Sequence, residues 1–234
     1  MHTVSDLWQQ MLADPAHAVE AKLKIAGVEY GEDKIVRKSL MVYGGLYSTF
    51  GIGNCCARQI EFEIYPQGTI PRQAKIEVFV RLVLGEQVSE WIPKGVFFFS
   101  TRKTDRITGV LSVHGYDAML KAEETWLDSS YDAKTWPMPA ATAVADIAAR
   151  MGVAVDSRTQ LDEAFPVQYP VDDKGDMTMR EALGRIAVTN AGNWTITDDG
   201  KLLLVNLNSM PAETHYLITE TGKAITFGGV RILV

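Results

Sequence analysis

"AKIEVFVRLVLGEQVSEWIPKGVFFFSTRKTDRITGVLSVHGYDAML", Ala74 to Leu120, decides the fold. Ile76, Val78, Val80, Leu82 and Leu84 fall on one face with Glu77 and Arg81 opposite, the period of a strand with one dry face and one wet face. Gly95 to Thr101 is almost continuously apolar, and Gly109 to His114 alternates again. Charged, glycine-bearing turns separate these runs, as they do in an antiparallel sandwich or barrel. Near Tyr116 the period changes, and Tyr116, Met119 and Leu120 fall on one helical face.

Upstream, Ile60, Phe62 and Ile64 alternate with Glu61 and Glu63 before the turn Tyr65-Pro66-Gln67-Gly68. Val19 to Val28 reads as another half-buried strand, with Val19, Ala21, Leu23 and Ile25 set against Glu20, Lys22 and Lys24. Thr3 and Asp6, ahead of Leu7, Trp8, Met11 and Leu12, predict a short capped helix stopped by Pro15, an arm or a lid.

Downstream, an irregular stretch ends at Pro137 and Pro139. Ala140 to Met151 then reads as a helix with Val144, Ile147, Ala148 and Met151 as its apolar stripe. Thr178 and Glu181 have the spacing of a capping box, opening a helix that buries Ala182, Leu183, Ile186 and Ala187 and stops near Gly192. A hairpin follows: Trp194 to Thr197, the turn Asp198-Asp199-Gly200, then Lys201 to Leu207. Ala224 to Val234 is strand-like and ends on Ile232-Leu233-Val234 with no polar finish, so that strand is expected either to be cut short or to pair with something.

The expected fold class is therefore α+β, mainly β: an antiparallel β-barrel-like domain, a small α/β domain and the start of a further β segment. The predicted division is a helical arm at 1–15, the barrel-like domain at 16–122, the α/β domain at 123–212 and returning strands at 213–234.

The 234 residues are 47% hydrophobic and 22% charged, an ordinary globular balance with enough apolar material for a sizeable core. A net charge of −6, a pI near 5.3 and the lack of any Lys/Arg cluster argue against sequence-specific nucleic-acid binding. No run approaches the roughly 20 apolar residues that span a bilayer, so no stable membrane insertion is expected. Met1 to Asp14 lacks the basic start and apolar centre of a signal peptide, which predicts cytosolic synthesis. Cys55 and Cys56 are adjacent, point apart on a strand and read as free thiols.

Each template for chemistry meets a missing part. Gly44-Gly45 and Gly51-Ile52-Gly53-Asn54 lack the lysine and the following helix of a phosphate loop, which leaves a flexible inter-strand loop. His2, His17, His114 and His215 are scattered, and His114 reads as a surface or hydrogen-bonded structural residue. Asp172, Asp173 and Asp176 run into a helix where a calcium loop needs its closing acid, so they read as a solvated turn. Glu123-Glu124 and Asp162-Glu163 are adjacent pairs, which says nothing of the cleft a glycosidase needs. No catalytic residue, metal ligand or cofactor is therefore assigned. Trp91, Phe97, Phe98 and Phe99 are expected to anchor the barrel or a subunit contact, and Tyr116 and Asp117 to hold the strand-to-helix junction. The other reading is a module that binds or degrades host-wall carbohydrate, with Trp91, Trp126, Trp136 and Trp194 stacking on sugars.

Gly51 to Cys56 leading into Gln59 to Ile64, "GTIPRQAKIEVFV" at Gly68 to Val80 and Ser89 to Leu120 resemble the N-terminal region of tail-associated proteins of long-tailed phages and prophages. "TMREALGRIAVTNAGNWTITDDGKLLLV" at Thr178 to Val205 and "AITFGGVRILV" at Ala224 to Val234 resemble that family's second unit and its return to the next barrel. The resemblance implies a gp27-like baseplate hub. In such a hub β-barrel domains form a threefold ring that continues the tail tube and gates DNA passage at infection. It implies a homotrimer at the virion tail tip, made in the bacterial host cytoplasm, with the distal tail protein and the tape-measure protein as neighbours. An acidic chain suits a channel through which DNA passes without sticking.

Overall fold

The computed structural model describes residues 4–45, 51–72, 74–127, 136–168, 177–206, 226–227 and 230–231. Eight strands form one antiparallel sheet: β1 (Ala18–Ile25), β2 (Val28–Tyr30), β3 (Met41–Tyr43), β4 (Gln59–Ile64), β5 (Lys75–Leu84), β6 (Gln87–Val88), β7 (Ile92–Thr104) and β8 (Leu111–Asp117). Their order is β2-β1-β5-β7-β8-β4-β3, with β6 paired to β5. The alternation read from Ala74 to Leu120 sets the register. Ile76, Val78, Phe97, Leu111 and Val113 enter the core, and Ile76 stands opposite both Ile25 and Phe97.

Leu23 and Ile25 of β1 share that core with Ile60, Phe62 and Ile64 of β4, although β5, β7 and β8 lie between them in the sheet. The sheet must therefore curl about one apolar centre. Among the described residues β2 and β3 are not paired with each other, so the sheet is open there and the expected barrel-like closure is not seen. The physical reason lies in the chain between them, which continues the β3 edge instead of bridging to β2. Ile35 bridges Ile64, Val36 donates to the Glu63 carbonyl at 2.8 Å, and Tyr65 donates to the Lys34 carbonyl at 2.9 Å. The edge then breaks at Lys38, whose φ is 63°, before β3 resumes the pairing. An interrupted edge is a common defence against unwanted strand addition.

The structure revises three local expectations. Val19 to Val28 is not one strand: Ala26 and Gly27 have φ of 50° and 88°, a tight turn that folds Val28 back opposite Ile25. The first helix, α1 (Asp6–Ala13), is capped by Ser5, whose Oγ accepts from the Trp8 N–H at 3.1 Å. Glu90 fixes that serine by accepting from its N–H and its hydroxyl, and Trp8 and Met11 pack on Leu82 and Ile92 of the sheet. Thr3 lies outside the described residues. Tyr116 belongs to β8, and the chain continues as a 3-10 helix, Ala118–Glu123, that buries Ala118, Met119 and Ala122 but leaves Leu120 exposed. The tighter winding of a 3-10 helix moves the buried face away from a 3.6-residue period.

The remaining elements gather on a second apolar cluster. They are β9 (Thr125–Leu127), α2 (Ala140–Met151), β10 (Met177–Thr178), α3 (Met179–Thr189), β11 (Gly192–Ile196) and β12 (Leu202–Asn206). Helix α2 has the expected limits, and Gly152 at φ 70° forms its C-cap. Helix α3 opens with the predicted reciprocal Thr178–Glu181 box. Gly200 at φ 80° turns the β11–β12 hairpin. Of the last predicted strand, Thr226–Phe227 (β13) pairs with Val230–Arg231 (β14), and the rest lies outside the described residues, as do Asp172, Asp173 and Asp176. No helix among the described residues is long and apolar enough to cross a membrane.

Candidate functional site

Two regions concentrate the chemistry: the seam between the sheet and the helical layer, and a groove on the core face of β1 and β5. Asp117 anchors the seam. It ends β8, and its buried carboxylate accepts from the Arg58 N–H and from the Met119 N–H, both at 3.0 Å. Burial pushes its pKa up to about 6, against the pull of those two donors and of the nearby Arg58 and Arg180 charges. The Arg58 guanidinium donates to Asp198 at 2.6 Å and to the Lys94 carbonyl at 2.7 Å, tying the β11–β12 turn to β7. From α3, Arg180 ion-pairs with Glu123 at 2.5 Å and donates to the Cys55 and Met119 carbonyls. Cys55 is buried against the second cluster, and burial pushes its thiol up to about 12, so it stays protonated at neutral pH.

The glycine loop at Gly51–Asn54 completes the seam, and it is not the free inter-strand loop expected. The Gly53 N–H donates to the Gly192 carbonyl at 2.9 Å, and the Trp194 N–H donates to the Asn54 carbonyl at 2.8 Å. Fully buried Asn193 accepts from the Asn54 N–H at 2.8 Å and donates to the Gly51 carbonyl at 2.9 Å. A side chain at residue 53 would put its Cβ 2.6 Å from the Val188 methyl at a φ of 84°. Glycine is there for close approach to α3.

The other nominated residues take separate positions. Phe97 is fully buried in the sheet core, Phe99 packs at that core's margin, and Phe98 packs on the second cluster with Lys121 Nζ 4.4 Å from its ring centroid. Trp91 is half-buried on the outer face between Arg81 and Lys22, 4.6 and 4.8 Å from its ring centroid. Tyr116 is half-buried and meets His114 edge-on at 4.7 Å. Trp126 and Trp194 are fully buried, and Trp136 packs edge-on against Trp126 at 5.8 Å, so these three do not form an exposed sugar-stacking platform. No three His, Cys, Asp or Glu side chains come together in a metal-binding group among the described residues.

The seam's long-range partners were missed by sequence reasoning: Arg58 lies 140 residues from Asp198, and Arg180 lies 125 from Cys55. No local signal marks them. The groove was also missed. It has a volume of about 1030 Å³ between α1, β1, β5 and the chain from Glu32 to Val42, with Val19, Ala21, Val80 and Leu82 on its floor.

With this geometry in view, two solved structures are similar across most of the chain. The 43 kDa tail protein of prophage MuSo2 from Shewanella oneidensis aligns at a TM-score of 0.53 and 13% identity, over 85% of this chain and 59% of that one. The tail protein from Neisseria meningitidis MC58 aligns at 0.50 and 14%, over 80% and 51%. The fold is shared with phage tail proteins. The chain thus spans between half and three-fifths of the length of these tail proteins. No protein-family model matches it, and neither does any curated protein sequence.

Proposed function

We propose that this chain is a structural component of a phage or prophage tail. It forms a ring-shaped, trimeric, gp27-like hub at the tail tip, which continues the tube and gates DNA passage. The observation that carries the reading is the fold shared with two tail proteins, one of them from a prophage, over at least 80% of the chain. The open sheet adds to it. A curled sheet whose β2 and β3 edges are unpaired with each other among the described residues can complete a barrel-like wall against neighbouring surface, and a cyclic arrangement of copies supplies that surface without leaving an open filament. In this role the chain works by assembly rather than catalysis. The virion tail is its location, the host cytoplasm its place of synthesis, and the distal tail and tape-measure proteins its neighbours.

Light scattering across a concentration series, with electron microscopy of the same samples, tests this. A mass three times that of the chain together with ring-shaped particles is the expected result. A chain monomeric at every concentration would count against the hub.

A further inference from the structure

Two surfaces outside the seam have matching chemistry. The first is the groove over β1 and β5. Val19 on its floor and Leu12 beside it are 57% and 55% exposed. Arg37, Lys38 and Lys94 stand at its rim with one acid, Glu32, among them. Among the described residues these three cations make no ion pair. An apolar floor under unpaired positive charge calls for an occupant that is apolar at its centre and acidic at its sides.

The second surface is the turn at Asp162–Phe165, between α2 and α3. Phe165 is 51% exposed, and Asp162 and Glu163 precede it by three and two residues. The turn is fixed at its base: the Asp162 N–H donates to Asn190 Oδ1 at 2.7 Å, and the Ala164 N–H donates to Asp162 Oδ1 at 2.9 Å. Asn190 is itself buried and donates to the Ile186 carbonyl at 2.8 Å. An aromatic side chain presented on a turn already in place loses little conformational freedom on docking. Glu163 makes no ion pair among the described residues.

We propose that the groove of one copy receives the Asp162–Phe165 turn of a second copy. Phe165 covers Val19 and Leu12, while Asp162 and Glu163 face Arg37, Lys38 and Lys94. This rests on the ring reading above and goes beyond it by naming the surfaces that meet. The two patches differ, so the contact can run head-to-tail from copy to copy, the kind that a rotation closes into a ring. Groove against groove would set cations on cations, and turn against turn acids on acids. The charge pattern therefore opposes pairing of like patches, which the apolar surfaces alone would allow.

The test is the association constant of the intact chain, from sedimentation or light scattering, with thermal melts to confirm folding. R37E and E163K should each weaken assembly roughly fivefold or more, since both reverse charge on one side of the contact and leave the Asp162 turn bond in place. Carrying both changes in one chain should restore it. Phe165→Ala should weaken assembly while leaving its salt dependence unchanged. If the wild type assembles and the single variants assemble equally well, or the double swap fails to restore assembly, this pairing is wrong and the ring stands by another surface. A wild type that is monomeric at all concentrations overturns both.

Discussion

Asp117 couples its ionisation to stability. Its pKa is 3.8 when unperturbed and about 6 in the fold, so between these values the folded state holds a proton that the unfolded chain has released. Stability should therefore fall as pH rises from 4 to 6, by roughly 3 kcal/mol at most. Asp156 works in the other direction. Arg158 holds its carboxylate far below the usual range, so its contribution is present above the ordinary carboxylate pKa and fades only as pH drops below it. Denaturant midpoints at pH 4, 5 and 7 follow Asp117, and a further pair below pH 4 follows Asp156. In Asp117→Asn the pH 4 to 6 slope should flatten. The amide can accept only one of the two backbone N–H groups, so stability at pH 4, where the folded carboxyl is already neutral, should drop by about 1–3 kcal/mol. At Gly53 the expected cost is steric. Alanine there meets Val188 with a positive φ, and a melting temperature no lower than wild type would refute the close-approach account.

At the scale of elements, the legible parts are those whose causes are local. The Thr178–Glu181 box shows in four residues, and Thr178→Ala should cost about 1 kcal/mol by urea denaturation. Helix α2 and the β11–β12 hairpin carry their stripe and turn residues within their own length. Open edges and seams do not. Whether β2 meets β3 depends on the path of the ten residues from Gly31 to Leu40, and nothing in their composition announces that Ile35 will bridge Ile64. The tryptophans show the same limit. As a residue type, Trp194 could face sugar or core; its Nε1–H donating to the Leu183 carbonyl at 2.8 Å decides for the core. Trp194→Ala should cost about 3–5 kcal/mol, measured by the same denaturation. A smaller loss would indicate that α3 can collapse into the space.

For the whole molecule, the outward features are an open sheet edge, a basic-rimmed groove and an acidic turn. If rim charges guide assembly, association should weaken as salt is raised through the range where the Debye length falls below about 8 Å. Light scattering at two ionic strengths would show it. A salt-independent assembly would point to the apolar strand edges instead.

The docked glycine loop also bears on how the chain acquires its structure. Asn54 and Asn193 are 139 residues apart, and Asn193 and Gly51 are 142 apart, so neither the sheet nor the helical layer is complete until both have been synthesised and brought together. Such distant closures slow the search for the native state and join its halves into one cooperative unit. Circular dichroism and tryptophan fluorescence should then report a single, coincident unfolding transition, and a nascent chain released before Asn193 should expose the hydrophobic bed of Cys55 to the chaperones that wait for it.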